Sequence, residues 1–115
     1  MRVMVIIKAN QQSEAGILPD EKLLTDMGKY NEELVKAGIM QAGEGLQPSS
    51  KAARVRFAGG KTTVIDGPFA ETKEQLAGFY LIDARDLNEA IQLAAKIPPA
   101  RVGSVEVRPV RDLAV

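Results

Sequence analysis

The sequence predicts an α+β sandwich, and three observations carry the prediction. Runs of β-branched and apolar residues recur along the 115 residues. Two of the intervals between them repeat apolar residues at helical spacing. A glycine pair joins two short strand-like runs mid-chain. The length suits one core, so residues 1–115 are expected to form a single domain.

Val3-Met4-Val5-Ile6-Ile7 reads as a strand apolar on both faces, which belongs in the middle of a covered sheet. Asn10–Gly16 is polar and loop-like. Pro19-Asp20-Glu21 looks like a helix entry, with proline tolerated and acids favoured in the first turn. Leu23, Met27, Tyr30 and Leu34 then form one stripe, flanked by Leu24 and Val35, on a helix that stops at Gly38. Ile39–Leu46 is a second strand, loosened by Gly43 and Gly45 and ended by Gln47-Pro48-Ser49-Ser50.

Arg54–Phe57 and Thr62–Ile65 flank Gly59-Gly60 and predict a hairpin. Asp66-Gly67-Pro68-Phe69 must break the strand, since Pro68 has no N–H to give a ladder. Glu71–Gln75 could form one helical turn. Leu76–Ile82 is the next strand, with Phe79 and Leu81 on one face and Gly78, Tyr80 and Ile82 on the other. Asp86 is an N-cap candidate, with Glu89 at capping-box spacing. Leu87, Ala90, Ile91, Ala94 and Ala95 form the helix face that follows, and Pro98-Pro99 stops it. Gly103–Val110 closes the series as a strand.

The order β-α-β, hairpin, β-α-β implies a ferredoxin-like split β-α-β sandwich with an extra hairpin. Both helices would cover one sheet face. The other face keeps apolar residues that the chain cannot cover, so a homodimer is expected.

Composition excludes several classes of function. With no Cys, there are no disulfides, thiolate nucleophiles or zinc-thiolate sites. With no His, the usual proton shuttle and the commonest metal ligand are also missing. No transition metal is expected, and no cofactor: the Gly43/Gly45 and Gly59/Gly60 glycines lack the spacing of a P-loop or dinucleotide fingerprint. Fifteen basic and fifteen acidic residues leave a formal net charge of zero, which argues against a nucleic-acid partner. The apolar run at Val3–Ile7 is too short to span a membrane and has no cleavage site, so a cytoplasmic location is expected.

The run Asp66-Gly67-Pro68-Phe69-Ala70-Glu71-Thr72-Lys73-Glu74 resembles the signature of the DGPF-domain family, a branch of the YCII-related proteins. Gly43–Pro48, Gly78–Ile82 and Gly103–Val110 are similar to that family's other strands, in the same order. The resemblance implies a dimeric α+β barrel of two facing sheets. It implies no established function, only a link to transcriptional regulation through neighbouring extracytoplasmic-function sigma factors. Many YCII-related proteins carry a His–Asp pair at a cleft; this chain has no histidine to supply one.

Candidate site residues follow from chemistry. Asp66 sits where the strand breaks, either as a turn former or as a carboxylate at a cleft with Phe69 beside it. Glu71 and Lys73 follow within a few residues, as a solvated charged turn or as part of that cleft. Asp66 and Glu71 are the candidate acid/base residues. Glu106 and Arg108 share a strand face, so Arg108 is either half of an ion pair or an anchor for a carboxylate or phosphate. Glu44, between two glycines, marks either a bulge or a close ligand approach. The leading expectation is a binder of a small polar or anionic molecule through Glu44, Asp66, Phe69, Glu71, Lys73 and Arg108, in a cleft at the dimer interface. The alternatives are a lyase or isomerase using carboxylates alone, and a regulatory interaction module.

Overall fold

The computed structural model describes residues 1–70, 75–101 and 103–111. In chain order they form β1 (Arg2–Lys8), α1 (Gln11–Glu14), α2 (Glu21–Lys36), β2 (Met40–Gly45), β3 (Ala53–Ala58), β4 (Lys61–Asp66), β5 (Leu76–Asp83), α3 (Leu87–Ala95) and β6 (Val105–Pro109). Short 3₁₀ turns occupy Ser49–Lys51 and Pro98–Arg101. The four-stranded antiparallel sheet has the order β2-β5-β1-β6, consistent with a ferredoxin-like arrangement, and β3-β4 form a separate two-stranded sheet.

The core lies between the sheet and the two longer helices. Val3 and Val5 of β1, with Tyr80 and Ile82 of β5, meet Leu34 of α2, Ala90 and Ala94 of α3, and Ile97. Burying a Val or Ile side chain contributes about 1.5–3 kcal/mol, so the central strand pair anchors the fold. The alanines of α3 leave room for that helix to approach the sheet. Leu87 and Ile91, expected on the same face, stay 43% and 50% exposed, and Leu93 packs against the core instead.

Each helix boundary has a local cause. Asp20 caps α2 by accepting from the Leu23 amide at 2.8 Å, so Pro19 stands outside the first turn instead of within it. The helix ends in a Schellman arrangement, with the Gly38 and Ile39 amides donating to the Val35 and Leu34 carbonyls. Asp86 caps α3 through the Glu89 amide at 2.8 Å, while the Glu89 carboxylate accepts from Arg85 at 3.1 Å. The segment expected as a loop at Asn10–Gly16 contains α1, secured by a reciprocal capping box between Asn10 and Ser13.

Among the described residues no helix covers the opposite sheet face. Across it run two rows set by register: Ala42, Leu81, Met4 and Arg108, then Glu44, Phe79, Ile6 and Glu106. The middle of this face is apolar and half-buried, and its edges are charged. The irregularity in β2 falls between Met40 and Ala42, not at Glu44. Among the described residues no helix is long and apolar enough to cross a membrane.

Candidate functional site

The four-residue helix α1 exists because its capping box closes a single turn, and that turn aims Glu14 at the segment following β2. There Pro48 precedes the 3₁₀ turn at Ser49–Lys51. The Glu14 carboxylate accepts from the Ser49 amide at 3.1 Å and from its hydroxyl in a short hydrogen bond. The Ser49 Oγ in turn accepts from the Phe69 amide at 3.1 Å. One serine thus ties three chain segments together.

The strand-breaking turn closes on the same point. Gly67 donates to the Ala52 carbonyl at 3.0 Å, and the Gly67–Pro68 peptide bond is cis. A Cβ on Gly67 would lie 1.7 Å from the Ser49 carbonyl oxygen, so only glycine lets the two backbones meet. Phe69 is half-buried, and the Arg54 guanidinium sits 4.2 Å from its ring centroid. Asp66-Gly67-Pro68-Phe69 is therefore a packed turn that locks the hairpin root onto Ser49.

This bracing frames an open cleft of about 520 Å³. Its wall combines Glu14, Gln47, Lys51 and Gln75 with Leu46, Pro48, Ala52 and Leu76. Such a lining offers a cation, a carboxylate and two amides beside apolar side chains, a composition suited to orienting a small polar molecule. Ser49 also lines it but is only 5% exposed, and its hydroxyl is engaged on both sides. That geometry makes Ser49 a brace between the three segments.

The expected site residues divide into three groups. Asp66 and Phe69 stand together on the turn behind the cleft, with Asp66 exposed at the end of β4. Glu44 and Arg108 lie on the uncovered sheet face, on strands at opposite edges, and Arg108 pairs with Glu106 at 3.4 Å. Glu71 and Lys73 lie outside the described residues. Within one chain, Asp66 and Arg108 belong to different sheets. Sequence reasoning missed Glu14, Gln47, Ser49, Lys51 and Gln75. The available signal was the Asn10-x-x-Ser13 capping pattern, which converts a polar loop into a turn able to aim a carboxylate.

Away from the cleft, two phenols have raised pKa values. Tyr80 is raised chiefly by burial, partly offset by its hydrogen bond to Asn31. Tyr30 is raised by burial and by the neighbouring Tyr80 and Glu33, and it donates to the Leu93 carbonyl at 2.7 Å. Both belong to the seam between helix and sheet.

The profile of the YCII-related domain matches residues 1–114. An uncharacterized protein of Rhizobium meliloti (strain 1021) is 46% identical over 92 residues, covering 78% of this chain and 74% of its own length. With a family profile spanning nearly the whole chain and a relative this similar, the chain belongs to the YCII-related family.

Proposed function

We propose that this YCII-related chain, of the DGPF branch, is a homodimeric domain that binds a small polar or anionic molecule in the cleft beside Ser49. The observation that carries this reading is the cleft itself. It is about 520 Å³ in volume, has Lys51, Gln47 and Gln75 on its wall, and is bordered by the Glu14–Ser49–Phe69 hydrogen bonds. Lys51 supplies the attraction for an anionic group, the glutamines orient it, and Leu46 and Leu76 shelter its carbon skeleton. In the dimer, the sheet face carrying Met4, Ile6, Phe79 and Leu81 meets its copy, with Glu44, Glu106 and Arg108 around it.

The test is calorimetric titration with a panel of small mono- and dicarboxylates and phosphate esters. A binder should lose about 10- to 100-fold in affinity in Lys51→Ala, the range of a charge-assisted hydrogen bond. Arg108→Ala serves as the contrast. A binder weakened by Arg108→Ala and indifferent to Lys51→Ala would move the site to the sheet face.

A further inference from the structure

The β3-β4 hairpin makes little sense on an isolated chain. Eleven of its twelve strand residues are exposed, the exception being Ile65. A two-stranded ribbon in water is marginal without packing on one face. Its register separates two faces. Arg54, Arg56 and Ile65 lie on the side where Arg54 stacks on Phe69 at the root. Val55, Phe57 and Val64 share the other side, at 50%, 77% and 62% exposure. Gly59 and Gly60 adopt φ of +58° and +74°, the positive pair that a type I′ turn uses. A ribbon with a bare apolar face has the form of a docking arm.

We propose that this arm docks on a second copy of the same chain, its Val55–Phe57–Val64 face forming part of the dimer interface. Three quantities favour that occupant. First, the Cα radius of gyration is 15.9 Å, against about 13 Å for a compact chain of this length. The outline of 46 × 43 × 19 Å is correspondingly broad and thin. Second, the accessible surface is 8110 Å², while a folded monomer of 12.4 kDa exposes about 6,100 Å². The excess of about 2,000 Å² is more than the roughly 800 Å² per partner of a standard interface. The apolar residues in the middle of the uncovered sheet face, Met4, Ile6, Phe79 and Leu81, are half-buried, so the arm's Val55, Phe57 and Val64 expose more apolar surface than they do. Third, Lys51–Asp66 holds four cations and one carboxylate, while the whole chain is neutral. The remainder of each copy therefore carries three surplus negative charges to complement a partner's arm.

The proposal rests on the dimer reading above but not on the cleft, and the experiment separates the two. Sedimentation equilibrium is run on the wild type, on Phe57→Asp and on Phe79→Asp, with circular dichroism to check folding. The wild type should have twice the 12.4 kDa chain mass. Phe57→Asp should keep its fold and dissociate at least about 30-fold more readily, the scale of losing an interface anchor. A Phe57→Asp protein that dimerises as tightly as wild type, with Phe79→Asp alone impaired, would overturn the arm and leave the sheet-face dimer standing. A wild-type monomer would overturn both. Should Phe57→Asp misfold, Thr62→Cys takes its place. Thr62 pairs with Phe57 in the register, and the chain has no other cysteine. A maleimide probe should then react with that cysteine more slowly in the dimer than in protein diluted to monomer; equal reactivity at both concentrations would overturn the proposal.

Discussion

The β1-β5 pair and the β3-β4 pair use the same materials for opposite ends. Each is antiparallel, and each holds valine and isoleucine. Val3 and Val5 are fully buried beneath α2 and α3, whereas Val55 and Val64 remain at least half exposed. β-propensity explains why all four strands form, but only covering layers explain which of them stabilise the chain. The first pair is a foundation. The second is held at its root by Ser49, Gly67 and the Arg54–Phe69 stack, and is bare beyond it.

Substitutions should expose the difference in descending order. Ile82→Ala, in the foundation, removes a nearly inaccessible side chain and should cost about 2–5 kcal/mol in denaturant unfolding. Gly67→Ala forces the root apart, because the new Cβ meets the Ser49 carbonyl. A loss of about 1–3 kcal/mol is expected, with the cleft distorted and β1 and β5 unaffected. Ser49→Ala removes the hydroxyl that donates to the Glu14 carboxylate and accepts from the Phe69 amide, leaves the Ser49 backbone bond to Glu14 in place, and should cost about 1–3 kcal/mol. An equal melting temperature for Ser49→Ala and wild type would show that the network is not a brace.

Alkaline titration provides a subtler contrast. Burial raises both Tyr30 and Tyr80 above the ordinary value of 10.0, so the folded state holds these protons more tightly than the unfolded chain. Their contribution is intact below about pH 10 and is lost as pH rises through the folded-state values. Tyr30→Phe should therefore soften the decline in stability above pH 10. It should also lose about 1 kcal/mol at neutral pH with the hydrogen bond to Leu93. An unchanged alkaline limb would contradict the assignment.

Much of the fold was legible because alternation and helical stripes report burial directly. Phe79/Leu81 against Tyr80/Ile82 and the Leu23–Leu34 stripe each mark a face before any contact is known, and Val3–Ile7, apolar on both faces, marks a central strand. Gly59-Gly60 marked the hairpin because few other pairs tolerate two positive φ values. The cleft was hidden for a physical reason. Glu14, Ser49 and Phe69 are far apart in sequence, and a long-range hydrogen bond leaves no periodicity behind. The strand break at Asp66–Phe69 was visible, but its purpose was not: what matters is the missing Cβ of Gly67 against a carbonyl nearly twenty residues earlier.

Hydrogen exchange measured at a series of protein concentrations tests the comparison most directly. Amides of β1 and β5 should be strongly protected throughout, since helices within the same chain cover them. Paired amides of β3 and β4 should be protected when the protein is dimeric and should lose that protection on dilution to monomer. Equal protection of the hairpin at both extremes would contradict the account, because the hairpin would then be stable without a second copy.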